Sequence, residues 1–288
     1  MFNLFDSKNR WIPALDLKNC RHWISVEEAL TSNQIKDLDY PRPEFSTGIF
    51  RFLTAILQAI YPVETVDERD EIFDEGFDIQ RIRSGLLRLS PAFCLNSETH
   101  PYMQLLVPET SEQNFSSNCK KEKSLKTIDQ LLLDSPAEKT IEDNLDLFVK
   151  REKIRVLCPK CAAAALTTQQ MYATQGGRGY ASSPTSADAL QVLLKFSQEA
   201  PLWKNLWLNV VPDWHPIDLE KLENFLPWLQ DFSNGLPEFM TERLSEVQSI
   251  LWACPRVIRL IPEKAENTCD LCGESTEISY KKYFTIPS

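Results

Sequence analysis

Two Cys-x-x-Cys pairs, Cys158/Cys161 and Cys269/Cys272, are the residues of this 288-residue sequence whose type and spacing best suit chemistry. Thiolates at this spacing bind one tetrahedral zinc ion, and two such pairs make a closed structural site with four cysteine ligands. Gly273 follows the second pair directly, which suits the tight turn of a zinc knuckle. The sequence therefore predicts a structural zinc ion held by these four cysteines.

Two other interpretations of the cysteines stay open at the level of sequence. The stretch between the pairs is far longer than in a compact zinc ribbon, so the pairs could be unrelated reduced thiols. A thioredoxin-like redox role is the second alternative, although only Cys158 has a basic, helix-opening context. The other cysteines have no partner at metal-binding spacing and are expected to be core or surface thiols: Cys20, Cys94, Cys119 and Cys254.

Positive charge is concentrated just before the first cysteine pair, where residues 150–155 together with Lys160 contain five cations and one anion. Further along, Gly177, Arg178 and Gly179 lie in a glycine-rich run behind a helix-forming stretch. Cations can follow a phosphate backbone, while bare glycine peptides approach sugars or base edges closely. A solvated loop whose cations balance the acidic residues before it explains the same charges equally well. These residues alone therefore do not distinguish a nucleic-acid contact from a solvated loop.

The overall composition limits the classes of protein that fit. A net charge of −10 argues against sequence-independent nucleic-acid binding by the chain alone, but it leaves room for a local basic patch. No apolar run reaches the roughly 18 residues of a membrane span, and the first residues lack a signal-peptide core, which predicts a cytoplasmic protein without membrane contact. Histidine is scarce and no nucleophile elbow, P-loop or His-Glu zinc motif occurs, so no catalytic residue is predicted.

Helix and strand patterns together predict an α+β fold with mixed helices and small sheets around a zinc-stapled segment. Strand patterns cover residues 11–17, 256–261 and 277–286. Helix patterns cover residues 26–30 behind a Ser25/Glu28 capping box, 46–61, 78–89, 162–173, 219–232 and 237–250. Residues 108–127 are polar and predict an exposed loop, whereas 190–211 fit either helix or strand.

Seven motifs follow one another along the chain. They are Trp11-Ile12-Pro13, His100-Pro101-Tyr102-Met103-Gln104, Phe148-Val149, CPKCAAAALTTQQ with GGRGY, Leu208-Asn209-Val210, Leu251-Trp252 through Leu260, and Cys269-Asp270-Leu271-Cys272-Gly273. In type and order they resemble the CasA family, the large subunit of the type I-E CRISPR Cascade complex. The resemblance predicts one CasA-like N-terminal domain over residues 1–288, with nucleic-acid-facing loops at 148–180 and a zinc knuckle and terminal strand at 269–288.

The resemblance implies a non-catalytic subunit that recognises the protospacer-adjacent motif of double-stranded DNA and contacts the 5′ end of a guide RNA. Its partners would be CRISPR backbone subunits, the guide RNA, the target duplex and a separate nuclease. The predicted nucleic-acid-binding residues are Phe148, Val149, Lys150, Arg151, Lys153, Gly177, Arg178 and Gly179. Lys150 replaces the neutral polar residue expected there, which favours phosphate contact over an amide pattern that reads bases.

The sequence departs from the family at its C-terminal end. Family members continue into a glutamine-bearing β-hairpin and a C-terminal helical bundle, and both are expected to be absent because the sequence stops at Ser288. A second interpretation makes the chain a zinc-containing docking subunit with little direct DNA contact. A stand-alone zinc enzyme fits least, because four cysteine ligands leave no open coordination position.

Overall fold

The computed structural model describes residues 1–106, 125–136, 138–147, 153–173, 192–214, 217–231 and 251–286, and it confirms the α+β class. The α-helices of these residues are α1 (Val26–Thr31), α2 (Pro43–Ile60), α3 (Val66–Glu75), α4 (Ile79–Leu89), α5 (Glu138–Glu142), α6 (Pro159–Tyr172) and α7 (Leu202–Trp207). The strands are β1 (Ile12–Asp16), β2 (Arg21–Ile24), β3 (Ile35–Leu38), β4 (Leu125–Thr127), β5 (Val257–Thr268) and β6 (Ser275–Ile286). They form two three-stranded antiparallel sheets.

The first sheet is built by the N-terminal residues, with β1 between β2 and β3. The predicted strand at 11–17 is confirmed as β1, whose first three residues are buried. The predicted capping box at the start of α1 is also confirmed. The Glu28 N–H donates to Ser25 Oγ at 3.2 Å, and the Ser25 N–H donates to the Glu28 carboxylate at 2.8 Å. Two otherwise unpaired N–H groups are satisfied there, so α1 begins directly after β2.

Helices α2 and α6 lie at the centre of the molecule and pack against each other. Their close approach depends on Gly48, because a Cβ atom there would lie 2.7 Å from Thr168 Oγ1. Helix α2 ends at Ile60, as the proline at position 62 predicts. Helix α6 confirms the helix predicted at 162–173 but begins three residues earlier, with Pro159 at its first position, where proline needs no N–H partner.

An aromatic cluster fills the core beside these helices. Phe93 is at its centre, with ring-centroid distances of 4.4 Å to Phe5, 5.2 Å to Tyr102 and 5.6 Å to both Trp228 and Trp252. Several of these rings meet edge to face, which is a favourable arrangement of their quadrupoles. Water is excluded here by side chains drawn from distant parts of the sequence, so apolar burial dominates the stability of this region.

The second sheet is a long hairpin of β5 and β6, with β4 on the other edge of β6. The first residues of β5, including Val257 and Leu260, are buried, whereas most residues from 263 to 268 are exposed. Pro262 lies on the edge strand beside a shift of register, where its missing N–H removes no ladder bond. The hairpin therefore has a packed base and exposed distal strands, and the second cysteine pair lies in its turn.

Two of the sequence predictions are wrong. The described part of 219–232 forms two 3₁₀ turns, Leu222–Asn224 and Pro227–Leu229, because Pro227 lacks an N–H and its ring blocks a continuous helix. The turn instead directs Trp228 into the core, where its Nε1–H donates to the Ala92 carbonyl at 2.7 Å. The loop predicted at 108–127 ends in strand β4, since β6 offers these residues a backbone edge.

The remaining helix and strand predictions are confirmed or lie outside the described residues. Helix α4 confirms the helix at 78–89, β5 and β6 confirm the strands at 256–261 and 277–286, and the undecided stretch 190–211 contains α7. The loop residues 108–124 and the helix predicted at 237–250 lie outside the described part. Within that part, β6 is the last element, and no helix is long and apolar enough to cross a membrane.

Candidate metal centre

The two cysteine pairs lie together despite their separation in the sequence. The four Sγ atoms of Cys158, Cys161, Cys269 and Cys272 all lie within 4.8 Å of one another. Cys158 Sγ and Cys272 Sγ are 3.7 Å apart, close to the ~3.8 Å edge of a tetrahedron with Zn–S bonds of about 2.3 Å. That distance is far longer than a disulfide bond. The four sulfur atoms could therefore hold one metal ion, and zinc suits this ligand set.

Helix α6 positions the first pair. Cys158 is the N-cap residue with extended backbone angles, and Pro159 occupies the first helical position. The Cys158 carbonyl accepts from the Ala162 N–H at 2.9 Å, which closes the first turn and brings Cys161 to the same side. Both cysteines are buried, with 3% and 6% of their surface exposed. The Cys-x-x-Cys spacing thus becomes one turn of a helix whose opening residue and first turn supply two sulfur ligands.

The turn between β5 and β6 positions the second pair. The Gly273 N–H donates to the Cys269 carbonyl at 2.9 Å, and the Cys269 N–H donates to the Glu274 carbonyl at 2.9 Å. Gly273 adopts φ +75°, a conformation that residues with a Cβ atom rarely tolerate. The tight turn predicted at this glycine is confirmed, and it folds Cys272 back towards Cys269.

Asp270 connects the turn to the chain before α6. Its Oδ2 accepts the backbone N–H groups of Arg155 at 2.7 Å and Val156 at 2.8 Å. The Asp270 N–H in turn donates to the Val156 carbonyl at 3.0 Å. One residue further, Leu157 and Tyr280 exchange two backbone hydrogen bonds of 2.8 Å and 3.0 Å on the edge of β6 that also carries β4. The segment that leads into the first cysteine pair is therefore an extension of the second sheet.

A lysine and a glutamate close the outer side of the cluster. Lys160 Nζ lies 2.7 Å from the Glu274 carboxylate and 4.4 Å from the centroid of the Trp23 ring. This partly buried ion pair links the first turn of α6 to the hairpin, and the cation also contacts the N-terminal sheet. Three elements that are far apart in the sequence thus meet around the four thiols.

The thiols influence the ionisation of one another. Hydrogen bonds from Cys158 and Cys161 hold the pKa of Cys269 well below its usual range. A hydrogen bond with Cys158 and further ones with the other two thiols raise the pKa of Cys161. One or two thiolates in the cluster are stabilised by hydrogen bonds from the neighbouring S–H groups, but four adjacent thiolates would repel one another. A bound cation removes that repulsion, so this cluster is chemically suited to a metal.

The unpaired cysteines behave as the sequence predicts where they are described. Cys20 is exposed, and Cys94 and Cys254 are buried. Burial raises the pKa of Cys254, which keeps this thiol protonated and unreactive. Cys119 lies outside the described residues. The metal-binding geometry is therefore confined, among the described residues, to the four predicted cysteines.

The predicted nucleic-acid-binding residues are described at only one position. Lys153 is exposed and lines a cleft of about 1060 Å³ next to the hairpin. Lys282 of β6 is exposed on the same cleft, and neither lysine has an ion-pair partner in the described part of the chain. Residues 148–151 and 177–179 lie outside the described residues. The cleft thus begins where the predicted cationic loop ends.

Two buried glutamines belong to motifs that carry the family resemblance, but the sequence predicts no structural role for them. Gln170 of α6 donates to the Met103 and Arg256 carbonyls at 3.0 Å and 2.9 Å and accepts the Arg256 N–H at 3.1 Å. Gln104 donates to a carbonyl at 2.7 Å and accepts the Leu260 N–H at 2.8 Å. Each side chain replaces missing backbone partners in the core. No sequence pattern identifies such a role, because the groups that they satisfy are remote along the chain.

A family profile described as CRISPR-associated protein Cse1 matches residues 3–288. CasA of Thermus thermophilus superposes with a TM-score of 0.63 at 19% identity, over 99% of this chain and 52% of that chain. Thermobifida fusca Cse1 superposes with a TM-score of 0.65 at 19% identity, over 99% of this chain and 51% of that chain. A chain of a CRISPR RNA-guided surveillance complex superposes with a TM-score of 0.61 at 15% identity, over 99% of this chain and 55% of that chain. No curated protein matches the sequence.

These comparisons agree with one another and with the resemblance seen in the motifs. At such low identities the solved structures show a shared fold, and this chain spans about half their length, between 51% and 55% in the three examples. The family profile covers all but the first two residues. The chain therefore belongs to the Cse1 family of CRISPR-associated proteins, the family also named CasA.

Proposed function

We propose that this chain is a non-catalytic large-subunit component of a type I-E CRISPR RNA-guided surveillance complex. It recognises the protospacer-adjacent motif of double-stranded DNA and contacts the 5′ end of the guide RNA. The family match over residues 3–288 carries this proposal. One similar solved chain belongs to a CRISPR RNA-guided surveillance complex, which supports assembly with other subunits and a guide RNA. A separate nuclease is proposed only from the resemblance of the motifs to the family.

A structural zinc ion at the four cysteines is part of the proposal. Four thiolate ligands saturate a tetrahedral zinc ion, so no position is left for water or substrate. Zinc at this site would neutralise clustered thiolates and hold the hairpin turn against α6. This supports a role in positioning other groups and argues against zinc-dependent hydrolysis.

The metal centre would fix the cationic segment that precedes it. Asp270 and Tyr280 hold the backbone from Arg155 to Leu157 against the hairpin. Lys153 emerges from this fixed backbone, directly after the predicted DNA-facing residues 148–151. A phosphate contact gains affinity when the cation is held in place before binding, because less side-chain and loop entropy is lost.

Helix α6 would connect the two predicted DNA-contacting segments. It begins at the cysteine cluster, and residues Gly177, Arg178 and Gly179 follow shortly after its last residue, Tyr172. Gln170 anchors that end of the helix to two neighbouring backbone segments. On this proposal, a helix of 14 residues would set the spacing between the loop at 148–151 and the glycine-rich loop at 177–179. Both loops can then follow one duplex.

A second candidate function is a docking subunit with little direct DNA contact. The net charge of −10 and the pairing of many cations with carboxylates favour it. Examples are Arg42 with Glu44 and Lys281 with Glu263, at 2.6 Å and 2.9 Å, both beside the cleft. On this alternative, Lys153 and the loop before it would contact partner proteins.

Neutralising the cationic loops separates the two functions. The triple variant Lys150→Ala, Arg151→Ala and Arg178→Ala, assembled into the complex, should bind a motif-bearing duplex more weakly. Each lost phosphate contact should also reduce the slope of log K against log salt by about 0.9. The measurement is a titration of the assembled complex with labelled duplex at several salt concentrations.

A matched control removes three cations far from these loops in the sequence. Replacing Arg21, Arg83 and Arg88 by alanine also removes three positive charges, so the net charge changes by the same amount. These three arginines are paired with carboxylates in the structure. The control should retain wild-type salt dependence. Unchanged DNA binding by the first triple variant, with impaired assembly, would favour the docking subunit and contradict motif recognition by these loops.

A further inference from the structure

A ridge of apolar side chains is exposed on the segment 192–196, which precedes α7. Val192, Leu194 and Phe196 are 66%, 53% and 65% exposed. They alternate along the chain. The N–H and the C=O of Leu194 both bond to Asn209, as in an extended residue, and alternate side chains of an extended backbone lie on one face. We call these three residues the apolar ridge. A ridge of large apolar groups in water is unfavourable for an isolated protein and is typical of interaction surfaces.

The side chains between the ridge residues face the protein. Leu193 packs against the hydrophobic core. Lys195 Nζ lies 2.9 Å from the Asp37 carboxylate, and it also lies 5.9 Å from the centroid of the Phe50 ring. The segment is therefore anchored on one face, and the alternation is a property of a fixed backbone.

Two asparagines of α7 and its C-terminal end occupy one edge of this backbone. Asn209 Oδ1 accepts the Leu194 N–H at 2.8 Å, and Asn209 Nδ2 donates to the Leu194 carbonyl at 2.9 Å. Asn205 Oδ1 accepts the Phe196 N–H at 2.8 Å. The side-chain amides thus reproduce the hydrogen bonds that a neighbouring β-strand would make along this edge.

The opposite edge of the segment has no hydrogen-bond partner among the described residues. In an extended chain, the backbone groups of residues 193 and 195 point away from those of 194 and 196. Within the described ranges, no group hydrogen-bonds to the backbone N–H or C=O of Leu193 or Lys195. The segment therefore has the properties of an edge strand that is one strand short of a ladder.

An acidic helix borders the ridge. The Phe196 ring meets the Phe73 ring of α3 with centroids 5.3 Å apart. Over its 10 residues, α3 carries six carboxylates and a single arginine, Arg69, which is paired with Asp70. Lys204 lies over the Phe73 ring on the inner side of the helix. The outer surface beside the ridge is thus strongly negative, which favours a cationic occupant.

We propose that residues 192–196 are a docking edge for an extended, cationic segment of a partner protein. The segment would add one strand by hydrogen bonds to the backbone of Leu193 and Lys195. Its apolar side chains would cover Val192, Leu194 and Phe196, and its cations would face α3. Strand addition of this kind takes affinity from main-chain hydrogen bonds and specificity from alternate side chains. The inference does not rest on the proposed DNA-binding function.

The test uses the full chain and a labelled peptide, Lys-Lys-Val-Thr-Val-Thr-Val-Lys-Lys, in a fluorescence-anisotropy titration. The peptide should bind, and methylating its alternate backbone amides should weaken binding about tenfold or more, as expected when two or more hydrogen bonds are lost. Replacing its lysines with glutamates should weaken binding by a similar factor at low salt. That difference should shrink at high salt.

A pair of variants at one position isolates the backbone edge. Lys195→Pro removes the free N–H. Lys195→Ala keeps the N–H and removes the exposed ion pair with Asp37 and the contact with the Phe50 ring. We expect Lys195→Pro to lose about tenfold in affinity, the size of one lost hydrogen bond plus the steric block of the ring, and Lys195→Ala less than about twofold. Leu194→Ser, which leaves the backbone intact, should also weaken binding and covers the case in which Lys195→Pro misfolds.

Three outcomes would overturn the proposal. The unsubstituted chain could fail to bind the peptide, or Lys195→Pro and Lys195→Ala could bind it equally well. Self-association of the unsubstituted chain that Lys195→Pro abolishes would assign the edge to a second copy of this chain instead. Each of these is distinguishable from failure of DNA binding, because none of the measurements contains nucleic acid.

Discussion

Phe93 and Cys269 are both almost fully buried, but different groups bury them. Phe93 is surrounded by rings from several distant segments, so ordinary apolar packing excludes water. Cys269 lies in a turn behind strands whose distal residues are largely exposed. Its neighbours include three other thiols and the hydrogen-bonding groups of the turn. Leu271 and Ile278 of the same hairpin pack against the hydrophobic core. Phe93 is thus enclosed by many rings, whereas Cys269 lies in a partly exposed turn beside three other potential metal ligands.

The aromatic core and the cysteine cluster differ in how many groups can be lost before the local structure is lost. Removing one ring from the core leaves the other rings in contact, so the loss is graded. Removing one of four sulfur ligands eliminates the metal site, because zinc binding and local folding are coupled. The hairpin turn, and the cationic segment attached to it through Asp270, therefore depend on the cysteines in an all-or-none manner.

The largest effect is expected from Cys269→Ser. We expect this variant to lose the metal, and the backbone amides of the distal hairpin and of residues 155–157 to lose their protection from hydrogen exchange together. The physical reason is that three ligands bind zinc far more weakly than four and the exposed strands have little apolar burial to replace it. Hydrogen exchange followed by mass spectrometry, with metal analysis, measures both.

Cys20→Ser is the matched control for that variant. It makes the same chemical change at an exposed cysteine outside the cluster. It should leave metal content and exchange unchanged. Equal protection of the hairpin in Cys269→Ser and Cys20→Ser would show that the turn is held without the metal, and the contrast with the core would fail.

Phe93→Ala is expected to have the next largest effect. The substitution leaves a cavity in the aromatic cluster and should lower the free energy of unfolding by about 3–5 kcal/mol. It should leave the metal content unaltered, because none of the four sulfur ligands belongs to the aromatic cluster. Chemical denaturation measures the change, with Leu87→Ala, at a 75% exposed position, as a control expected within about 0.5 kcal/mol of the parent. A metal loss in Phe93→Ala would contradict the independence of the two regions.

The Asp270 hydrogen bonds should give the smallest of the three effects. Asp270→Ala removes two charged hydrogen bonds that water can partly replace, so we expect a local loss of about 1.5–3 kcal/mol at most. Protection of the Arg155 and Val156 amides should fall about tenfold or more, while the zinc content stays at the parent level. Asp270→Asn keeps a hydrogen-bond acceptor, so the protection of these amides should lie between that of the parent and that of Asp270→Ala. Loss of zinc from Asp270→Ala would instead make the carboxylate essential to the metal site.

The sequence predicts the parts of the site that are local. The Cys-x-x-Cys spacing, the glycine after Cys272 and the Ser25/Glu28 capping box each specify a geometry within a few residues, and all three geometries are present. The meeting of Cys158 with Cys272 depends on how α6 and the β5–β6 hairpin pack. That packing is a tertiary property, so the sequence offered a shared site and unrelated thiols as alternatives.

The wrong or missing sequence predictions also result from tertiary packing. The 219–232 stretch has a helical apolar pattern, but Pro227 interrupts the helix. Burial of Trp228 in the aromatic core stabilises the turn that forms instead. Strand β4 is too short and polar to be recognised, and it forms because β6 presents a free edge. The role of Asp270 was equally invisible, since its partners Arg155 and Val156 precede the other cysteine pair.

The most direct test of the central claim is the zinc content of the protein purified without added metal and without chelators. The claim that four cysteines form a closed structural centre predicts one zinc ion per chain, retained on extensive dialysis and released when the thiols are alkylated or oxidised. Metal-free protein whose hairpin amides remain protected from exchange would contradict it, and would leave the four thiols as a buried cluster without a metal.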